Sequence, residues 1–304
     1  MSTEALSITT FNIDRFTTLE EFLSEYREIG LSTMELNGRV PQFVIDGLLP
    51  LIDRGELKIS SLHNFCPKPE VDEKELLLSS LDEDNRKKAV ELTIKTIETA
   101  ERVGARGIVV HSGTVEGISD INKKLIGLFR DGKKDSPEYD KIKTELIERR
   151  RKERHRYDAA CEKSLYELSD FISRKNYQVR LGLENRYNYY QIPLYYEYDE
   201  WFDKYEDLPI YLWYDFGHGE ALHTLSLINK YELLQKHGKR LLGFHIHDCI
   251  GIDDHKVPGT GSVDFMFVKD YLRPDIIKVL EYGRRFTLCE IKQGIEYLKS
   301  VGLI

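Results

Sequence analysis

The stretch IYLWYDFGHGEALHTLSLINKYELLQKHGKRLLGFHIH, residues 210–247, holds two short hydrophobic runs on either side of a helix-like segment. The first run, residues 210–215, ends in the carboxylate of Asp215, and the second, residues 241–247, ends in the imidazole of His247. Short runs rich in aliphatic and aromatic residues are typical of buried parallel strands. The stretch therefore predicts a strand, a helix and a second strand, with a polar side chain closing each strand.

The same alternation recurs along the whole chain. Strand-like runs are expected at residues 6–12, 32–37, 58–65, 107–111, 179–184, 210–215, 241–247 and 286–290. Eight strands separated by helices are typical of one closed (β/α)8 TIM barrel in the α/β class, which needs about 250 residues. The rival, an open doubly wound sheet, normally has a glycine-rich turn after its first strand, whereas residues 10–14 read TFNID. We expect one domain over residues 1–304, with a charged helical insertion around residues 118–156.

Composition is that of a soluble globular protein. Of the 304 residues 41% are hydrophobic and 32% are charged, and no run reaches the roughly 18 apolar residues that span a membrane. The N-terminus shows no basic segment followed by an apolar one, so we expect a cytoplasmic protein without a membrane partner. The four cysteines stand singly, which argues against disulfides and thiolate metal sites. A net charge of −8 argues against a nucleic-acid partner, and the basic residues 149–156 are interpreted as the solvated face of a long helix. The sequence leaves a homo-oligomer open.

Histidines and carboxylates stand at the ends of the predicted strands. From the third strand to the eighth they are, in order, His63, His111, Glu184, Asp215, His247 and Glu290. The C-terminal ends of barrel strands meet at one rim, so these side chains are expected to converge. Mixed nitrogen and oxygen donors suit zinc, manganese, cobalt or iron better than calcium. Each residue alone is equally consistent with a hydrogen-bonded rim position, but together they predict a divalent-metal centre.

Two local spacings add candidate ligands. Asp215 and His218 are three residues apart across a glycine turn, so both can face one centre. His245 and His247 share a strand face because side chains alternate with a period of two. We expect His247 to be the ligand and His245 its deeper partner. The following loop adds a further acid and imidazole pair, Asp253 and His255.

Four motifs stand out among these residues: Leu183-Glu184-Asn185, Asp215-x-x-His218, His245-x-His247 and Asp253-x-His255-x-x-x-Gly259-x-Gly261. Together they resemble the xylose isomerase-like TIM barrel superfamily, which unites sugar isomerases and epimerases with AP endonucleases of the endonuclease IV type. Ketose 3-epimerases of this superfamily hold one divalent metal, and the resemblance implies the ligands Glu184, Asp215, His247 and Glu290. Endonuclease IV holds three zinc ions with nine ligands, for which the resemblance implies His63, His111, Glu184, Asp215, His218, His247, Asp253, His255 and Glu290.

The leading hypothesis is a divalent-metal-dependent isomerase or epimerase of a small sugar, polyol or keto compound. Glu184 and Glu290 would move a proton between enediolate carbons, while Asp215 and His247 would hold a manganese, zinc or cobalt ion. Substrate hydroxyls would meet side chains on the rim, for which the candidates are Glu35, Asn64, Arg186, His218 and Lys292. Two alternatives stay open: a zinc phosphodiesterase of the endonuclease IV type acting on abasic DNA, and a non-catalytic metal-binding barrel.

Overall fold

Eight parallel strands close into a barrel in the computed structural model, which describes residues 6–71, 76–283 and 285–304. In chain order the barrel strands are β1 Leu6–Thr9, β2 Thr33–Leu36, β3 Lys58–His63, β4 Gly107–Val110, β5 Arg180–Glu184, β6 Ile210–Asp215, β7 Leu241–Ile246 and β8 Ile277–Leu280. Each strand pairs with the next in the chain, and β8 pairs with β1 to close the barrel. The predicted (β/α)8 TIM barrel is confirmed.

Helices connect the strands. They are α1 Leu19–Ile29, α2 Gln42–Asp53, α3 Glu83–Val103, α4 Ser119–Arg130, α5 Pro137–Lys175, α6 Tyr195–Lys204, α7 Phe216–Thr224, α8 Glu232–His237 and α9 Leu288–Ser300. Short 3-10 helices lie at Ile13–Arg15, Gly238–Arg240 and Phe265–Tyr271. Two small antiparallel pairs lie outside the barrel: Gly113–Thr114 with Gln191–Ile192, and Asp248–Ile250 with Asp253–Lys256. Among the described residues, no helix combines the length and the apolar character needed to span a membrane.

Local signals at the helix ends explain several of these boundaries. Helix α1 begins with a capping box, in which the Thr18 hydroxyl accepts from the Glu21 N–H and the Glu21 carboxylate accepts from the Thr18 N–H. The helix ends at Gly30, whose φ of 84° is the left-handed conformation that glycine adopts without strain. Helix α3 likewise ends at Gly104, at φ 72°, where the sequence predicts a C-cap.

The interior of the barrel is filled by Trp213, which packs against Val109, Leu242, Ile277 and Val279. Neighbouring strands carry glycines that make room for this ring, because a Cβ at Gly243 would lie 2.5 Å from it and one at Gly182 would lie 3.1 Å from its side chain. The ring also approaches His245, with centroids 5.2 Å apart. Trp213 therefore forms an apolar floor beneath the polar groups at the strand ends.

The prediction of the eighth strand at residues 286–290 is wrong, because β8 spans Ile277–Leu280 and pairs with β7 and β1. Residues 288–290 instead open helix α9, with Thr287 as its N-cap. The Glu290 carboxylate accepts from the Thr287 N–H at 2.8 Å, and the Thr287 hydroxyl accepts from the Glu290 N–H. This Thr-x-x-Glu pattern is a helix start. Glu290 is therefore an exposed helix residue, and the residue that follows β8 is Glu281.

Residues 118–156, predicted as an insertion, are occupied by α4 and the first half of α5. Two of its arginines are buried, contrary to the expected solvated face. Arg150 donates to Glu197 of α6 at 2.9 Å, and Arg154 lies 3.2 Å from the same carboxylate. Arg149 and Arg151 are exposed. These buried ion pairs join α5 to α6. Removing either partner would destabilise the protein, because it would leave an uncompensated buried charge.

Candidate metal centre

Four side chains meet at the C-terminal end of the barrel. Glu184 ends β5, Asp215 ends β6, His245 lies on β7 and Glu281 directly follows β8. One ligand atom from each lies within 4.8 Å of the other three. His245 Nδ1 is 2.6 Å from Glu184 Oε1, 3.2 Å from Glu281 Oε2 and 3.6 Å from Asp215 Oδ2. We call these four buried residues the carboxylate cluster.

Strand register explains why His245, rather than the expected His247, joins the carboxylate cluster. Asp215 is the direct partner of His245 in the pairing of β6 with β7, so the two residues lie at the same level of the barrel. His247 lies beyond the end of β7. Its Nε2 is 2.9 Å from Asp215 Oδ2, and its ring stacks on His255 with centroids 4.4 Å apart. His247 therefore adjoins the cluster from the side of His255, while His245 takes the position in the cluster that the sequence suggested for His247.

Glu281 takes the position that the sequence suggested for Glu290. Leu280 pairs with Ile246 across β8 and β7, so the next residue, Glu281, emerges beside the end of β7. Glu290 and Lys292 both belong to α9 and have exposed side chains. Lys292 lies 3.6 Å from Glu28 of α1. The expected roles of Glu290 as ligand and of Lys292 on the rim do not fit these positions, because both residues lie in the helical layer.

Two further groups of ligand-type side chains adjoin the cluster. The His63 group consists of His63, His111 and Glu184, and the His218 group consists of His218, His247 and His255. In the His63 group, His111 Nε2 lies 2.9 Å from Glu184 Oε2. The two groups and the carboxylate cluster therefore form one continuous polar surface, joined through the Glu184 carboxylate and through the contact of Asp215 with His247.

Asp254, and not the expected Asp253, borders the His218 group. Asp254 Oδ2 lies 3.6 Å from His218 Nε2, and its Oδ1 lies 3.1 Å from His255 Nδ1. Asp253 is exposed and pairs with Arg130 of α4 at 3.1 Å. The hairpin therefore carries the Asp254 carboxylate on the side of the histidines and the Asp253 carboxylate on the side of α4.

The electrostatics of the carboxylate cluster fit a bound divalent cation. Burial on its own raises the pKa of Asp215 and of Glu281, but the surrounding histidines hold both pKa values well below the usual range. Burial lowers the pKa of His245, yet Glu281 and Glu35 hold that pKa well above its usual value. Buried carboxylates need compensating positive charge. Carboxylate oxygens and imidazole nitrogens are donors that zinc, manganese and cobalt accept, so these residues fit such a metal.

Glu35 lies behind His245 and not on the rim, where the sequence suggested it would meet substrate. It belongs to β2, and its side chain is fully buried inside the barrel. Glu35 Oε1 is 3.1 Å from His245 Nε2, and the Ser61 hydroxyl donates to Glu35 Oε2 at 2.8 Å. Metal-binding histidines commonly donate their second ring N–H to a carboxylate, which fixes the ring. The contact thus directs His245 Nδ1 towards the other three residues of the cluster.

A cavity of about 460 Å³ opens onto the cluster, and both Glu184 and Glu281 line it. The volume lies within the range of roughly 300–1,000 Å³ that is usual for small-molecule sites. Of the residues expected to bind substrate, three contribute to the lining: Asn64, Arg186 and His218. Asn64 donates to the Thr93 hydroxyl at 2.9 Å and accepts from the Thr96 hydroxyl at 2.9 Å, which holds its amide in place.

Sequence reasoning missed Phe11 in addition to Glu281 and Asp254. Phe11 follows β1 and stacks on His255 with centroids 5.9 Å apart. The Arg39 guanidinium lies over the Phe11 ring, 4.6 Å from its centre. Its position just past the first strand was the available signal. For Glu281 the signal was the run Ile276 to Leu280 directly before it, interrupted only by Lys278.

Comparisons with known proteins agree with this architecture. A family model described as xylose isomerase-like TIM barrel matches residues 23–301. The uncharacterized protein y4fM of Sinorhizobium fredii (strain NBRC 101917 / NGR234) is 26% identical over an alignment of 217 residues, and the match covers 68% of this chain. The match covers 56% of that relative, so the chain spans little more than half of its length.

Solved structures share the fold at low sequence identity. A D-tagatose 3-epimerase-like protein superposes with a TM-score of 0.66 at 18% identity, over 98% of this chain and 97% of the other. The IolI protein, solved with a bound zinc atom, superposes with a TM-score of 0.63 at 16% identity, over 99% and 97%. Because the family match extends over nearly the whole sequence, the chain belongs to the xylose isomerase-like TIM barrel family.

Proposed function

We propose that this protein is a divalent-metal-dependent isomerase or epimerase of a small sugar-like compound. The observation that carries the proposal is the meeting of Glu184, Asp215, His245 and Glu281 at the base of a cavity of about 460 Å³. The names of the structural neighbours give support, since they include a D-tagatose 3-epimerase-like protein and an L-ribulose 3-epimerase. The zinc atom bound by IolI supports a metal in this fold.

Glu184 and Glu281 are the proposed proton-transfer groups. Their ligand atoms lie within 4.8 Å of each other, at the end of β5 and directly after β8, so both can reach adjacent carbon atoms of one small substrate. When bound to the cluster, the metal supplies a Lewis acid that polarises a substrate carbonyl. Each carboxylate then takes a proton from one carbon or returns it to the neighbouring one, which contributes about 10²–10⁴-fold to the rate. Asp215 and His245 hold the cluster together.

The walls of the cavity suit a polar substrate of this size. Phe11 and Phe65 contribute aromatic faces, while Asn37, Asn64 and Arg186 present hydrogen-bonding groups. Aromatic walls exclude water from the reacting carbons, and a few fixed polar groups set the orientation of hydroxyls. The amide of Asn64 is held in one orientation by its two threonine partners.

The test is a turnover assay in D₂O with protein loaded separately with manganese, zinc or cobalt. A panel of aldoses, ketoses and keto polyols is incubated with each form, and products are followed by NMR. We expect interconversion of one substrate pair, with solvent deuterium appearing on the carbon that exchanges its proton. Glu281→Gln is the matched loss-of-function variant, and Lys292→Gln on α9 is the surface control. Turnover without deuterium incorporation, or equal turnover in Glu281→Gln, contradicts the proton-transfer roles.

A phosphodiesterase is the second candidate, favoured by one observation. The His63 group and the His218 group adjoin the carboxylate cluster, so the polar surface offers ligand atoms for more than one cation. Closely spaced metals clamp the oxygens of a phosphodiester. This candidate predicts cleavage of abasic DNA and three zinc ions per chain. If neither sugars nor abasic DNA react while metal binds tightly, the non-catalytic barrel is the remaining interpretation.

A further inference from the structure

Arg186 lies inside the His63 group. One terminal nitrogen of its guanidinium contacts both Glu184 Oε2 and His111 Nε2. Those two acceptor atoms are themselves 2.9 Å apart, so the guanidinium nitrogen occupies the place at which the two ligands converge. The Arg186 side chain is 12% exposed. A positive charge of the chain's own therefore lies where the group would otherwise offer its donor atoms to a metal.

The backbone on both sides of Arg186 is anchored, which explains why its side chain is delivered to this place. The Asn185 side chain accepts from the Asp215 N–H at 2.7 Å and donates to the Asp215 carbonyl at 2.9 Å. The Tyr187 hydroxyl donates to the Ile252 carbonyl at 2.7 Å. Between these two held neighbours, the Arg186 side chain lies against Glu184 and His111.

A guanidinium and a metal ion exclude each other at this position. A zinc ligand bond is about 2.0–2.2 Å long for nitrogen and oxygen donors, so an ion bound to Glu184 Oε2 and His111 Nε2 would overlap the arginine. The two positive charges would also repel each other at this short distance. Arginine keeps its proton at any ordinary pH, so this occupancy is permanent unless the whole side chain moves away.

We propose that Arg186 is a built-in cation that replaces a metal ion in the His63 group, so that metal binds at the carboxylate cluster and not between His63 and His111. The proposal deepens the proposed isomerase function. Arg186 lines the cavity, so its positive charge also faces substrate oxygens that carry negative charge. It also opposes a three-metal phosphodiesterase, because one of the three groups is already filled.

The number of zinc ions bound per chain tests this proposal without an activity assay. Wild type, Arg186→Met, His111→Ala and the double variant are saturated with zinc, dialysed and analysed for zinc per chain, with calorimetric titration of each. We expect Arg186→Met to bind one ion more than wild type, because the His63 group becomes free. His111→Ala alone should match wild type, and the double variant should lose the additional ion. Arg39→Met, which changes the other arginine of the cavity lining, is the matched control and should also match wild type.

Three ions in wild type, or an ion lost in His111→Ala alone, would overturn the proposal. So would an Arg186→Met variant that folds, as judged by circular dichroism, but binds no additional ion. If Arg186→Met does not fold, the comparison of His111→Ala with wild type still decides, since a metal at the His63 group requires His111. The ion count does not depend on the reaction. A protein without isomerase activity can still bind an additional ion in Arg186→Met, and an active isomerase can lack that additional ion.

Discussion

Two glutamate substitutions, each made in its own variant, test whether Glu281 of the carboxylate cluster or Glu290 of helix α9 takes part in the reaction. Glu281→Gln keeps the shape of the side chain and removes the negative charge 3.2 Å from His245 Nδ1. Because Glu281 is a proposed proton-transfer group, we expect kcat/KM to fall about 10²–10⁴-fold, which corresponds to about 2.7–5.4 kcal/mol at 1.36 kcal/mol per tenfold change. Metal affinity should fall as well, since the amide no longer supplies a charged oxygen.

Glu290→Ala is the matched control for this experiment. The side chain is exposed and accepts from the Thr287 N–H at 2.8 Å and from the Thr287 hydroxyl at 2.7 Å. Loss of such an exposed cap lowers the free energy of unfolding only slightly. In a chain of 304 residues we therefore expect a small decrease in Tm. We expect unchanged kcat/KM and unchanged metal content.

Steady-state kinetics at saturating metal, thermal unfolding and elemental analysis of the two variants give the comparison. The reasoning is refuted if Glu290→Ala loses turnover at full metal loading while Glu281→Gln retains it. Equal small losses in both variants would also contradict the assignment, because only one of the two carboxylates lies in the cluster.

Three further measurements follow from the structure. Glu35→Gln should weaken metal binding about 10–100-fold, because the neutral amide holds the His245 ring less firmly; calorimetric titration checks this, and unchanged affinity would exclude the positioning role. Removal of metal by a chelator should lower Tm, since a ligand at 100 times its Kd adds about 2.7 kcal/mol to the folded state; a Tm insensitive to the chelator would contradict tight binding. Burial, reinforced by Glu197, raises the pKa of Asp158 from 3.8 to about 7 although Arg154 opposes the shift. The folded state therefore holds a proton that the unfolded chain releases, and this contribution to stability, complete below about pH 4, is lost as the pH rises through about 7. Urea unfolding at about pH 5 and pH 8 should show this loss in wild type and not in Asp158→Asn.

The barrel itself could be predicted because its signal is local. Seven of the eight expected runs overlap the observed strands, and each run can be recognised from a few consecutive residues. The eighth was misplaced because Lys278 interrupts the run at 277–280, while residues 286–290 look equally apolar and also end in a glutamate. The Thr287-x-x-Glu290 capping box was the local feature that distinguishes the two.

The membership of the site was only partly predictable. His63, His111, Glu184 and Asp215 follow or end their strands, and the rim of a barrel brings such residues together whatever their distance in the chain. The choice between His245 and His247 could not be made in this way. The sequence pattern puts both on one strand face, and the decision depends on the pairing of Asp215 with His245, which is a contact between two strands.

By itself, the amino-acid sequence determined the barrel and the chemical types at its rim, because hydrophobic periodicity and residue identity act within a few neighbouring positions. Only the tertiary structure decided that Glu281 completes the cluster, that Glu35 supports His245 from behind, and that Arg186 enters the His63 group. The physical reason is that strand register and barrel closure are set by packing over the whole chain. A shift of one residue in that register changes which charged atoms meet.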